Sequence, residues 1–222
     1  MPSCHCCAID DQFDRARAEA DLRQYHRRGP QCTTRNLVRV LRQRSRAGGI
    51  VLDIGGGVGV IHHELLKAGF ERAVHVDRSQ AYIDVARREA STIGHADLVR
   101  FIHGDFRAVA DSLEPADVVT LDRVVCCDAD YAALLPLAAE RARQVLAMTF
   151  PRDRWLVRWF VSLSNVWRQA RGSDFRVYVH SPTAMATLLQ RLGLQRVMTD
   201  ATFVWNIEVW ERPAHIHGDR EP

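Results

Sequence analysis

The sequence predicts an α/β domain built on a mainly parallel sheet. Three observations carry this reading. Short apolar runs that end at Gly or Asp alternate with helical-period segments between Ile50 and Thr149. Ile50-Val51-Leu52-Asp53-Ile54 is apolar almost throughout rather than alternating, as a strand covered on both faces requires. Two last strands, Leu194 to Met198 and Phe203 to Trp210, are joined by too short a link for a crossover and are therefore expected to be antiparallel.

The elements follow in order. Asp10 to Arg28 suits an amphipathic helix with Phe13, Ala16, Ala20 and Tyr25 on its apolar stripe, and Gly29-Pro30 stops it. Thr33 or Thr34 is a candidate cap for a second helix that buries Leu37, Val38 and Leu41 and ends at Gly48-Gly49. After the first strand come a helix from Val60 to Ala68, a strand from Ala73 to Val76, and a helix capped by Ser79 that runs to about Ala90. Val99 to His103 is the third strand and Asp117 to Leu121 the fourth. A helix from Asp130 to Arg143 contains Pro136, and Val145 to Thr149 is the fifth strand. Trp155 to Arg171 reads as a Trp-rich helix, and Phe175 to His180 as extended chain. Ser181 caps a helix with Pro182 in its first turn, which runs to Leu192.

At 222 residues, 47% apolar and 26% charged, the chain has the size of one large domain or two small ones and an ordinary globular composition, which excludes collagenous, coiled-coil and wholly disordered classes. No stretch approaches a membrane span, and residues 1–17 lack the apolar core of a secretory signal, so a cytoplasmic protein is expected. The basic residues are 29 Arg and the single Lys67. They are uneven: residues 1–50 hold ten Arg against five acids, and between Leu22 and Arg46 there are eight Arg and no acid. That stretch is either a solvated face or a patch that gathers an anionic acceptor.

The chemistry centres on Asp53-Ile54-Gly55-Gly56-Gly57-Val58-Gly59, between a strand and a helix. Glycines there let backbone approach a ligand, and the helix end offers free N–H groups. The dinucleotide fingerprint fails, because the sixth position from Gly55 or Gly57 is Val60 or His62. The pattern is acid-x-Gly-x-Gly-x-Gly. It resembles motif I of the class I S-adenosylmethionine (AdoMet) methyltransferases, and an acid before the glycines suits a cofactor that carries an ammonium group.

The resemblance continues in order. It implies that Asp77, at the end of the second strand, holds the ribose hydroxyls with Arg78 beside it. It implies that Gly104-Asp105-Phe106 lies near the adenine, and that the segment after the fourth strand, beginning at Asp122, lines the methyl-donor site. The implied fold is a Rossmann-like seven-stranded sheet, mostly parallel with an antiparallel last strand. A helical amino-terminal arm precedes it and a helical insert follows the fifth strand. Residues 1–47 are then a lead-in and basic arm, 48–211 the AdoMet-binding domain with its insert at about 152–180, and 212–222 a tail. Thr149-Phe150-Pro151, His180-Ser181-Pro182 and the arm-plus-insert layout resemble the Mg-protoporphyrin IX O-methyltransferases and relatives.

The implied activity is methyl transfer to a small molecule at oxygen, an in-line displacement in which positioning and desolvation do much of the catalysis. No Asn/Asp-Pro-Pro-Tyr/Phe signature follows the fourth strand, which argues against methylation of base amino groups. Acceptor-side candidates are Tyr25, Arg28, Arg123, Cys126 and His180; no catalytic base is assigned. His62 and His63 are expected on a helix surface. The Trp-rich helix is expected to pack on the sheet edge, with Trp155, Trp159 and Trp167 serving partly as a lid. Cys4, Cys6 and Cys7 include a Cys-x-x-Cys spacing without a second pair, so free thiols and no metal are expected. Two other functions compete: an RNA or tRNA methyltransferase that uses the arginine arm as its footprint, and a metal- or metalloid-binding protein or metalloid methyltransferase.

Overall fold

The computed structural model describes residues 12–44 and 48–213. Seven strands form one sheet: β1 (Ile50–Ile54), β2 (Arg72–Asp77), β3 (Val99–His103), β4 (Ala116–Asp122), β5 (Ala142–Pro151), β6 (Gln195–Ala201) and β7 (Trp205–Glu211). Their order is β3-β2-β1-β4-β5-β7-β6. β1 pairs in parallel with β2 and β4, while β7 runs antiparallel to both β5 and β6. The expected seven-stranded architecture with one reversed strand is therefore what the chain adopts. The strand order reverses direction at β1, so its carboxyl end and that of β4 open onto a crevice where such sheets bind ligands.

The helices are α1 (Arg15–Arg28), α2 (Cys32–Arg44), α3 (Val60–Lys67), α4 (Gln80–Thr92), α5 (Phe106–Val109), α6 (Tyr131–Arg141), α7 (Trp155–Ala170) and α8 (Pro182–Arg191). One core, with Leu121, Leu135, Met148, Phe150 and Trp210, lies between the sheet, α6 and α8. The other, with Leu37, Leu41, Val51 and Ile207, lies under α2 and α3. Pro136 sits inside α6.

The arm docks in two pieces. Asp14 caps α1 by accepting from the Arg17 amide, and Ala18 packs with Val58, Tyr82 and Val85. The Tyr82 hydroxyl donates to Asp21 at 2.5 Å, and Ser79 Oγ donates to the Phe13 carbonyl at 2.7 Å. α1 is thus fixed over α4 and the glycine loop. α2 starts at Cys32, so Thr33 and Thr34 are buried helical residues rather than the expected cap. Thr34 is spent on a longer-range bond, with Oγ1 donating to Asp122 at 2.6 Å.

Residues 175–180 lie outside helices and strands and hang on the loop after β4, with Tyr178 N donating to the Cys126 carbonyl at 2.8 Å. One further expectation is corrected. The Trp-rich helix does not pack on the sheet edge. Trp155, Trp159 and Trp167 are exposed and only Val157 of α7 is buried. Cys4, Cys6, Cys7 and Arg46 lie outside the described residues.

Candidate cofactor and acceptor site

One cavity of about 500 Å³ runs from the glycine loop to α7 and the β6–β7 hairpin. Asp53, Gly55, Gly56, Gly57, Asp77, Arg78, Gly104, Asp105, Phe106 and Asp122 line it, together with Tyr25 and Arg123. Gly59, Arg28, Cys126 and His180 are not among the lining residues.

The loop geometry explains its composition. Gly55 has φ +61°, and a Cβ there would lie 2.5 Å from Val124 Cγ2. Gly59 caps α3 at φ +88°, where a Cβ would fall 2.6 Å from His62 Cε1. Larger residues are excluded at both positions by backbone conformation and by neighbours. Gly59 therefore shapes the loop from outside the cavity.

Asp77 stands at the end of β2. Its Oδ2 accepts from the Gly57 amide at 3.0 Å and its Oδ1 from the Ser79 amide at 2.9 Å. The carboxylate thereby ties the glycine loop to the start of α4. Burial raises its pKa to about 6, against the pull of these two amides. Two of about four lone-pair sites remain for donors in the cavity.

Asp105 caps α5 through the Arg107 amide and pairs with Arg78, which supplies a charged partner on the same wall. Burial pushes its pKa up, but the Arg78 bond, the Arg107 amide and both guanidinium charges hold it below the usual carboxylate range. Phe106 is buried beside it.

Asp53 is only 1% exposed. Thr120 Oγ1 donates to its Oδ1 at 2.7 Å, and His62 Nδ1 lies 3.0 Å from its Oδ2. Burial lifts its pKa to about 6. It therefore sits at the cavity floor, where its charge reaches the cavity by field rather than by an exposed contact.

His62 and His63 are not on a helix surface: both are fully buried, as is His75 of β2. His62 packs edge-on to His63 and His75 at 4.3 and 5.1 Å between ring centres. Asp53, His62 and His75 bring one metal-ligand-type atom each within 4.8 Å of one another. Asp53 already spends one oxygen on Thr120 and the other on His62, so the cluster serves as a buttress beneath the loop. The signal for it was in the sequence, since a His inside an otherwise apolar strand and two beside a glycine loop face the same layer.

On the acceptor side, Arg123 has φ +62°, the left-handed region that a side chain rarely adopts. Its amide donates to Thr149 Oγ1 at 2.9 Å and its Nη2 to Thr34 at 3.1 Å, while its buried Nε has no hydrogen-bond partner. Arg123 thus holds a sparsely populated backbone conformation at the cavity wall. Asp122 accepts from Thr34 and Thr149, so its carboxylate is fully engaged. Tyr25 Oη donates to Glu64 at 2.7 Å and joins the arm to α3; burial and that carboxylate push its pKa to about 12. His180 Nε2 faces the carbonyls of Val125 and Asp128 at 3.1 and 2.9 Å and pins the loop after β4. Cys126 is buried beneath the cavity, and its neighbour Cys127 lines it.

The arginines do not sit where the charge pattern put them. None between Leu22 and Arg44 lines the cavity, and Arg42 and Arg44 pair with Glu64 and Glu211. The cavity's cations are Arg17, Arg78, Arg123 and Arg168. Arg168 donates to Ser164 and Asn165 and has no carboxylate partner among the described residues; burial lowers its pKa. Arg17 and Arg168 escaped the sequence reading because one lies before the Arg run and the other within the Trp helix.

The comparisons agree with this geometry. Residues 51–147 match a family described as Methyltransferase domain. No curated protein matches the chain. The magnesium protoporphyrin IX methyltransferase of Synechocystis PCC 6803, solved with bound SAM, is 19% identical at a TM-score of 0.68, covering 94% of this chain and 97% of that one. An O-methyltransferase family protein of Burkholderia thailandensis is 18% identical at 0.67, covering 90% of this chain and 61% of that one. The YcgJ protein of Bacillus subtilis is 15% identical at 0.63, covering 80% of this chain and 97% of that one. These likenesses show the fold. The residues fit the cofactor that the family uses: a carboxylate with free acceptor sites at Asp77, an apolar wall at Phe106, and an anionic floor at Asp53. The family match thus gives residues 51–147 as a methyltransferase domain, and the motif order and sheet around it have the fold of S-adenosylmethionine-dependent methyltransferases.

Proposed function

We propose that this methyltransferase makes methyl esters on a small carboxylate with an apolar body. The observation that carries the reading is the pairing of unspent cations with apolar walls in one cavity. Arg168 and Arg17 form no ion pair with a carboxylate among the described residues, and they share the cavity with Phe160, Val161, Phe175 and Trp205. The glycine loop, Asp77 and Asp105 form the cofactor half. Bound there, AdoMet supplies an activated methyl group.

The rest of the chemistry falls to the chain. Asp77 accepts from the ribose, Asp53 supplies the counter-charge, and the arm over the glycine loop excludes water. A carboxylate acceptor needs no base, and the carboxylates that line the cavity are already engaged. Asp122 is held by two threonines, Asp105 by Arg78, and Asp21 by Tyr82. Arg168 and Arg17 hold the acceptor's charge and leave the reacting oxygen as the nucleophile. The likeness to a magnesium protoporphyrin IX methyltransferase supports a small-molecule acceptor.

The test uses AdoMet labelled in its methyl group with pools of carboxylic metabolites and of RNA. Label in small molecules that base releases as methanol supports esters. Base-stable label, or label in RNA, overturns the proposal. Arg168→Met is expected to raise the acceptor KM about tenfold or more, the loss of one charge-assisted bond, with AdoMet Kd unchanged. Steady-state kinetics and calorimetry check this.

A further inference from the structure

The exposed face of α7 has no part in the chemistry above except at Phe160, which also reaches the cavity rim. Trp155, Leu156, Trp159, Phe160, Leu163, Val166 and Trp167 are each between 44% and 76% exposed. At 100° per residue they fall within an arc of about 140°, so they form one stripe rather than scattered positions. Val157, Val161, Ser164 and Arg168 fall on the opposite arc, and the last three line the cavity. One helix therefore faces the site on one side and presents six large apolar side chains to the outside on the other, with Phe160 at the boundary between the two.

Two further features say what covers that stripe. Residues 152–171 hold five Arg and one acid, Asp153, which is paired with Arg158. Arg154, Arg158 and Arg171 are exposed, and Arg171 stacks on the Trp167 ring at 3.8 Å. The β6–β7 hairpin continues the patch. Arg152 donates to the carbonyls of Val204 and Thr202 at 2.7 and 3.0 Å, which fixes the loop carrying Phe203, 69% exposed, beside the start of α7. Tryptophans, aliphatic side chains and flanking arginines on one helix are the composition of an interfacial helix that lies in the headgroup region of a bilayer. Tryptophan suits that depth because its ring is apolar and its N–H polar. No described helix is long and apolar enough to cross a membrane, so the contact is with the surface.

We propose that α7 and the Phe203 hairpin form a docking face for an anionic lipid bilayer, with the cavity mouth held at the membrane surface. The apolar stripe enters among the acyl chains near the headgroups while the arginines meet lipid phosphates. An acceptor with an apolar body would then reach Arg168 from the bilayer side.

The test is flotation and tryptophan fluorescence of the full chain with vesicles of phosphatidylcholine alone or with about one third phosphatidylglycerol. Binding to the anionic vesicles is expected, with a blue shift and with quenching by lipids brominated in the upper acyl chain. Binding to neutral vesicles is expected to be weaker. W155S/W159S should lower partitioning about tenfold or more, because two rings of buried area are lost. Neither ring lines the cavity, so AdoMet affinity and melting temperature should be unchanged. No binding of folded protein to anionic vesicles overturns the proposal, as does partitioning that W155S/W159S leaves intact. A dimer that W155S/W159S dissociates, with no lipid binding, also overturns it and assigns the face to a second copy of the chain.

Discussion

Asp77→Asn is expected to weaken AdoMet binding about ten- to a hundredfold, measured by calorimetry at pH 7.5. The magnitude follows from losing charge-assisted acceptors, each worth about 1.5–3 kcal/mol when the acceptor is ionised. The carboxylate has two duties. It orders the loop through the Gly57 amide and the start of α4 through the Ser79 amide, and its remaining lone pairs face the cavity. Asparagine keeps one acceptor oxygen and turns the other into a donor facing an N–H. Loop order and ribose binding therefore suffer together. An unchanged Kd would remove Asp77 from the site.

The same carboxylate gives affinity a pH dependence. Burial raises the Asp77 pKa to about 6. Only the ionised form accepts from two donors, so AdoMet affinity is expected to be flat above pH 7 and to fall as pH drops through 6. Asp77→Asn should remove most of that dependence. If the wild-type profile is flat from pH 7.5 to 5, the ionised carboxylate is not what binds.

The strands and the glycine loop were legible because their determinants are local. Val99–His103 and Ile50–Ile54 are bounded by turns at both ends, and an apolar run between turn residues has few alternatives. Thr34 shows where local reading fails. Its composition suggests a cap, but the fold brings Asp122 within 2.6 Å, and a buried carboxylate needs a donor more than a helix start does. The proposed acceptor wall was hidden for the same reason. Arg17 and Arg168 are far apart in sequence and meet only when α1 and α7 close over one cavity. The Trp helix misled in the opposite direction. Aromatics at helical spacing mean a buried stripe in most helices, and here the stripe faces outward.

The buried histidines have the second large consequence, a stability that falls in acid. Burial lowers the pKa of His62 and His75 to about 3 and that of His63 to about 2, with neighbouring histidine charges adding to the effect. Unfolded, each titrates near 6.5. A base with a depressed folded pKa favours the folded state above its unfolded pKa, and that contribution is lost as pH falls below it. Asp53 and Asp77 act oppositely: their folded values of about 6 exceed the unfolded 3.8, so their contribution is present below 3.8 and lost as pH rises through 6. Below pH 6 the three histidines are protonated in the unfolded chain and neutral in the folded one, while the folded chain holds protons on the two carboxylates. The histidine protons outnumber the carboxylate ones, so stability is expected to fall as pH drops through this window. Neither ring nitrogen of His75 has a hydrogen-bond partner, although one carries a proton. His75→Leu removes that orphaned donor and one of the three titrations. It is expected to stabilise the protein by about 1 kcal/mol at pH 7.5 and by more at pH 5, read from urea unfolding at both values. The larger gain in acid is the diagnostic part, because better packing alone would stabilise equally at both pH values. Equal gains, or a loss at pH 5, would show that His75 makes a hydrogen bond in solution that offsets its burial.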